Sequence, residues 1–269
     1  MVIDTHPHVV AVDEERYPLD PSGMTEPWYR DDPCSVERLL ALMDEADVSA
    51  AVLVQGISAY GFDNRYALDA ARAHPDRCTS VVYLDVVAPD AVSTLRHCVD
   101  DSGARGLRWV AFGETALTEP ADMWDEVDAL RIPVVVTILA DKLAELDAAI
   151  PGLPDIPLAL DHCGFADFSH GAPDDLVALA AHPNVYLKVS TIALDRMAEH
   201  GDVRDGLAEL VAHFGADRLM WGSDYSQTHD RPYPELAAWA RHAASRLTET
   251  DRNLYLGGTA SGLWPELAG

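Results

Sequence analysis

Short runs of β-branched and aliphatic residues alternate with amphipathic segments eight times along this chain, which predicts an α/β fold, a (β/α)8 barrel. Two further observations agree. No composition break or long linker divides the 269 residues, so residues 1–269 read as a single domain. No glycine-rich phosphate loop follows the first run, which removes the usual sign of an open doubly wound nucleotide-binding sheet.

The strand candidates, in order, are VIDTHPH, AAVLVQG, TSVVYLD, ARGLRWV, IPVVVTIL, PLALDHCG, VYLKVS and LMWGSDY. Most are nearly continuous apolar runs, as a parallel strand covered on both faces requires. Among the connecting segments, SVERLLALMDEA opens on Ser35 as an N-cap and aligns Val36, Leu39, Leu40 and Met43 on one stripe. The same pattern recurs in DNRYALDAARAHP, APDAVSTLRHCV, ADMWDEVDALR, DKLAELDAAI, DDLVALAAHP, VRDGLAELVAHFG and PELAAWARHAASRL. TETDRNLYLGGTASGLW adds a short terminal helix. One connection differs: residues 9–34 carry four prolines and little periodicity. A long loop in a compact domain is usually functional, and this one leaves the first strand as an active-site loop.

Composition narrows the partners. A formal charge of −26 disfavours nucleic acid and anionic membrane surfaces. No apolar run approaches the ~20 residues that span a bilayer, and no basic segment followed by an apolar stretch opens the chain as a secretory signal would. Cys34, Cys78, Cys98 and Cys163 share no CxxC spacing and read as free thiols in a reducing cytoplasm.

In such barrels reactive groups sit at the C-terminal ends of the strands. The first strand candidate ends His6-Pro7-His8, and period-two alternation turns both imidazoles the same way, with Asp4 behind them. A metal site, an acid–base site and a pair of satisfied histidines all share this pattern. His162 follows Asp161 at the sixth strand end, and Asp224 follows Gly222-Ser223 at the eighth. Strands one and eight are neighbours in a closed barrel, so Asp224 should meet the histidine pair directly. A carboxylate and an imidazole at hydrogen-bond reach can take a proton from water and pass it to a leaving group. Arg108 on the fourth strand suits a carboxylate or oxyanion clamp, or a structural ion pair below the site. Gln55, Tyr60 and Asn64 follow the second strand, and Trp28 and Tyr29 in the long loop could stack on a cyclic substrate or pack over the barrel end. The third and seventh strands end in milder residues, Asp85, and Lys188 with Ser190.

These motifs carry a resemblance. HPH, DHCG and WGSDY, together with YGFDNRYALDAARAHPDR, GARGLRW, NVYLKVS and GGTASGLW, resemble the amidohydrolase superfamily. Within it they are most similar to the amidohydrolase-related branch (amidohydrolase 2) that contains 2-pyrone-4,6-dicarboxylate lactonase and sugar-acid lactonases. The resemblance implies a TIM barrel and hydrolysis of a small, carboxylate-bearing lactone or related cyclic ester or amide. It assigns Asp224 as the base that activates water and His162 as the group that polarises the carbonyl or assists proton transfer. His6, His8 and Asp224 would ligate one divalent metal, zinc or manganese, with His162 as a fourth ligand, or the histidines would contact substrate in a metal-independent enzyme. Arg108 would meet the substrate carboxylate, and barrels of this family often pair as homo-oligomers.

The chain also departs from the wider superfamily. Its fifth strand offers Thr137 and Asp141 but no histidine, and no lysine ends the fourth strand to be carbamylated between two metals. The alternatives are a metal-dependent decarboxylase of an aromatic or unsaturated acid, and a ligand-binding barrel without catalysis.

Overall fold

The computed structural model describes residues 1–21, 27–112 and 117–268. Part of the long connection expected to be an active-site loop, residues 22–26, therefore lies outside the described residues. Among those described, eight parallel strands pair in sequence order: β1 (Ile3–Asp4), β2 (Ala50–Val54), β3 (Cys78–Tyr83), β4 (Leu107–Val110), β5 (Val134–Thr137), β6 (Leu158–Leu160), β7 (Val185–Ser190) and β8 (Leu219–Gly222). With intervening helices this is the TIM barrel that the alternation predicts. The Ser35 cap forms, its hydroxyl accepting from Arg38 N at 3.3 Å at the start of a helix over Val36–Glu45. One helix escaped the sequence reading: Thr191–His200 precedes the expected Val203–Phe214 between β7 and β8. No helix among the described residues is long and apolar enough to cross a membrane.

The first strand is shorter than VIDTHPH suggests, because residues 5–8 leave the β2 ladder and bond mainly to the β8 exit. Thr5 N donates to Trp221 O at 3.1 Å, Asp224 N donates to His6 O at 2.9 Å, and His8 N donates to Tyr225 O. These bonds close the barrel. Asp4 reinforces the seam: Oδ1 accepts from His6 N at 3.1 Å and Ser223 N at 2.8 Å, while Oδ2 accepts from Tyr233 Oη at 3.1 Å.

Period-two alternation divides the side chains of each stave. Leu53, Val82, Leu107, Trp109, Val134, Val136, Leu158, Leu187 and Trp221 face the helices and join the main core. Ile3, Val52, Val81, Val135, Ala159 and Met220 fill the barrel interior with Trp264, whose Nε1 donates to Arg105 O at 2.9 Å. Above this apolar layer the inward positions turn polar: Arg108, Thr137, Asp161, Lys188 and Ser190 are all buried there.

Two glycines let the first stave approach its neighbours. A Cβ on Gly222 would lie 2.7 Å from His6 Cβ and 3.2 Å from His6 N, and one on Gly257 would lie 2.9 Å from Met1 O. Overpacking of this kind typically costs about 1–3 kcal/mol, because a dense core cannot yield locally. Gly222→Ala is therefore expected to lower the urea unfolding midpoint by that amount of stability. An unchanged midpoint would show that the β1–β8 seam moves apart freely.

Candidate active site

The β8 exit delivers Asp224 in a left-handed conformation, φ 61°, immediately after the seam bond to His6. Oδ2 accepts from Thr228 Oγ1 at 2.8 Å, so the carboxylate does cap the following turn. Oδ1 remains free to face the barrel axis. It lies 3.4 Å from His8 Nε2, 3.6 Å from His6 Nε2 and 3.9 Å from His162 Nε2. All four side chains are at most 3% exposed.

His162 reaches this point through an unusual turn. After β6, His162, Cys163, Gly164 and Phe165 all have φ between 52° and 64°, one left-handed turn that swings the imidazole over the mouth. Each non-glycine residue there costs about 1–2 kcal/mol, and strain of this sort persists where the surroundings over-determine it. Gly164 is also sterically required, since a Cβ would approach Leu143 Cδ2 to 2.6 Å.

The distal ring nitrogens fix the tautomers. His8 Nδ1 lies 2.9 Å from the Val54 carbonyl oxygen, which can only accept, so Nδ1 holds the proton and Nε2 presents a lone pair. His6 Nδ1 lies 2.9 Å from Asp161 Oδ1 and 3.1 Å from Lys188 Nζ. The carboxylate lies nearer and can only accept, which favours a proton on Nδ1, while the Lys188 contact is the one with hydrogen-bond geometry and would use Nδ1 as acceptor. His162 Nδ1 pairs with Ser190 Oγ at 2.7 Å, a hydroxyl able to donate or accept. Burial pushes His6 well below the ordinary histidine range and lowers His162, favouring neutral imidazoles. Burial would raise Asp224, but a hydrogen bond from His8 and the charge on His162, His6 or His8 whenever those rings are protonated outweigh it and hold the carboxyl below its usual range.

The His8 lone pair, His6 Nε2 and a carboxylate oxygen thus converge in a buried space, and Asp224 Oδ1 and His6 Nε2 have no hydrogen-bond partner there. Uncompensated acceptors in such a position cost free energy. The donor set fits a divalent cation, and His6, His8 and Asp224 form one group of ligand atoms close enough to hold it. A second group, His6, Asp161 and His162, overlaps the first, but the Lys188 ammonium already lies 3.1 Å from Asp161 Oδ1.

Sequence reasoning missed the layer beneath. Asp161, fully buried, accepts on Oδ2 from Thr137 Oγ1 at 2.7 Å and from Arg108 Nε at 3.2 Å. Burial opposes its charge, yet His6, Lys188 and Arg108 hold it well below the ordinary carboxylate range. Lys188, passed over as a mild strand ending, is fully buried at the centre of this network. Its signal was available: VYLKVS puts Lys188 and Ser190 on one face of a strand whose other positions are apolar.

The remaining expected residues are more dispersed. Arg108 is 6% exposed and takes the ion-pair arrangement, with Nη2 3.2 Å from Asp161 and Nη1 donating to Gln55 O at 3.3 Å. Tyr60 Oη accepts from Ala11 N at 2.7 Å, pinning the start of the long loop. Asn64 clamps a turn, donating to Phe62 O and Tyr83 O and accepting from Tyr83 N. Trp28 packs 5.7 Å from the His8 ring with its Nε1 on Ser58 Oγ at 2.9 Å, and Tyr29 meets Trp28 edge-on at 5.7 Å. His229 is exposed and bonded to Gln227 O, away from the cluster.

Comparison with known proteins places this geometry in context. L-fucono-1,5-lactonase from Burkholderia ambifaria is 28% identical over 96% of this chain and 93% of its own length. 4-Sulfomuconolactone hydrolase from Rhizobium radiobacter is 27% identical over 82% of this chain and 74% of its own. Among solved structures, a probable 2-pyrone-4,6-dicarboxylic acid hydrolase from Acinetobacter baumannii superposes with a TM-score of 0.81 at 20% identity, covering 98% and 99% of the two chains. A zinc-bound amidohydrolase from Burkholderia multivorans gives 0.77 at 22% identity, covering 98% and 99%. The amidohydrolase family model matches residues 3–265, from the first strand to the terminal helix, and the chain belongs to that family.

Proposed function

We propose that this chain is a hydrolase that opens a small, carboxylate-bearing lactone by adding water to its carbonyl carbon beside Asp224. The observation that carries the reading is the convergence of three imidazoles on one free oxygen of a buried aspartate. Two curated relatives, both named for lactone hydrolysis, support it.

His6, His8 and Asp224 would hold one zinc or manganese ion, for which imidazole and carboxylate ligands are suited. A cation bound there polarises the lactone carbonyl and offsets the charge that develops on its oxygen. The protein's own groups move the protons. Asp224 Oδ1, with Oδ2 anchored by Thr228, takes a proton from water as the new C–O bond forms. The Ser190 hydroxyl donating to His162 Nδ1 leaves the proton on Nε2, which donates a hydrogen bond to the carbonyl oxygen as negative charge develops there. The product is the open hydroxy acid. Asp224 supplies the proton that the ring oxygen takes up as the ester C–O bond breaks, which leaves Asp224 ionised and His162 neutral for the next turnover.

Charge supports an anionic substrate. Arg108, 6% exposed beneath the mouth, is the fixed cation that an anionic substrate would meet; together with Lys188 it otherwise balances Asp161 and Asp224. Trp28 and Tyr29 give the ring an apolar wall, while Tyr60 and Asn64 shape the rim through the loop backbone they hold. The four buried free thiols support a reducing cytoplasmic setting, and the net charge supports the absence of a nucleic-acid partner. The decarboxylase alternative lacks a β5 histidine: Thr137 stands there, with its hydroxyl on Asp161.

Asp224→Asn is expected to lower kcat on a responsive member of a lactone panel by about 10³-fold, in line with loss of a general base, while circular dichroism stays unchanged. Wild-type rates in that variant would exclude the mechanism. Exhaustive chelation should reduce turnover by about 10²-fold, with zinc or manganese restoring it. Full activity in protein shown metal-free by elemental analysis would assign the reaction to side chains alone. Release of carbon dioxide from an aromatic acid, without lactone turnover, would favour the decarboxylase.

A further inference from the structure

The buried Asp161–Lys188 pair touches neither Asp224 nor the mouth, and the proposed reaction does not use it. Its position is nevertheless specific. Asp161 Oδ1 faces His6 Nδ1 at 2.9 Å and Lys188 Nζ at 3.1 Å, while Oδ2 takes Thr137 Oγ1 and Arg108 Nε. Two hydrogen-bond schemes satisfy His6. Nδ1–H can donate to Asp161, leaving a lone pair on Nε2. Alternatively Nδ1 can accept from Lys188, 3.1 Å away, leaving the proton on Nε2 and aimed at Asp224 Oδ1, 3.6 Å away. Only the first scheme lets His6 bind a cation together with His8 and Asp224.

We propose that Asp161 is a positioning residue that fixes His6 as the Nδ1–H tautomer, and that Lys188 acts by holding Asp161 in place. Thr137 and Arg108 fix the opposite carboxylate oxygen, so Oδ1 cannot rotate away from the ring. Lys188 has a second consequence: its ammonium lies where a cation shared by His6 Nδ1 and Asp161 Oδ1 would sit, so the overlapping ligand group stays closed to metal. His6 thereby becomes a one-sided ligand. Outer carboxylates that orient a metal-bound imidazole commonly contribute 10–100-fold in affinity. The inference rests on the cation site of the proposed function but not on the identity of the substrate.

The test is nitrogen-15 NMR of the histidine rings in the wild-type, metal-free full-length chain, combined with zinc titration against a chromophoric chelator. The His6 ring is expected to carry its proton on Nδ1, and the chain to bind one zinc ion. Asp161→Asn should shift His6 toward the Nε2–H form and weaken zinc binding about 10–100-fold. That change leaves Lys188 and Arg108 without their counter-charge, which puts folding of the variant at risk. Thr137→Val serves in that case: it removes one of the donors to Oδ2, leaving Arg108, without touching His6, and should weaken zinc binding by a smaller factor while the Nδ1–H signal broadens or splits. An Nε2–H tautomer in the wild-type protein would overturn the proposal without any variant. So would zinc affinity unchanged in a folded Asp161→Asn. Loss of lactone turnover with the Nδ1–H tautomer intact would instead count against the substrate assignment alone.

Discussion

Closure of the barrel between β1 and β8 is the constraint on which the site depends, because the stave that carries His6 and His8 is also the first one in the sheet. His6 and His8 lie 216 or more positions from Asp224 and meet it only because main-chain bonds from Thr5, His8 and Asp224 stitch the two exits together. Asp4 strengthens that seam from within, receiving three donors on its two oxygens. Gly222 sets its width. The same contacts that complete the sheet therefore fix how far the imidazoles stand from the carboxylate.

Inside the barrel, an apolar floor supports a charged layer. Packing Ile3, Val52, Val81, Val135 and Met220 around Trp264 excludes water from below. Charges placed above such a floor are expensive unless each finds a partner. Asp161 meets that demand with Lys188, Arg108, Thr137 and His6 around it. Arg108 is thus held mainly by the protein, and its charge reaches the mouth as part of a network rather than as a free clamp. Asp224 is different: Thr228 satisfies one oxygen, and the other faces only imidazole nitrogens. Asp224 Oδ1 and Asp161 Oδ1 both lack an aligned donor, and only the former faces the space between the three histidines.

Local strain accompanies Asp224 and His162, the two side chains that the proposed reaction uses beside water and the carbonyl. Asp224 and the residues 162–165 adopt left-handed backbone conformations, and both segments follow directly on strand ends. A regular continuation of β6 would carry His162 along the barrel axis, whereas the left-handed turn folds it back to the central space beside His6, ring centroids 4.6 Å apart. Packing of Gly164 against Leu143 and the Ser190 bond to His162 hold this turn in place.

Periodicity alone was enough to establish the architecture. Apolar runs of strand length separated by capped amphipathic helices have few packings other than a closed parallel barrel, and strand-end placement then picked out His6, His8, His162 and Asp224. Those residues were legible because their chemistry is rare in apolar runs. Lys188 and Asp161 were less so: each lies inside or beside a run that looks structural, and the partner that gives it meaning is on another stave. Tyr60, Asn64 and Arg108 were visible as polar residues near strand ends, but a sequence does not say whether a polar atom faces a cavity or a neighbouring carbonyl. Tautomer, lone-pair direction and the choice of which carboxylate oxygen stays free were decided only in three dimensions. Hydrogen bonds between distant staves determine them, and register across a closed sheet is a property of the whole ring, not of any one segment.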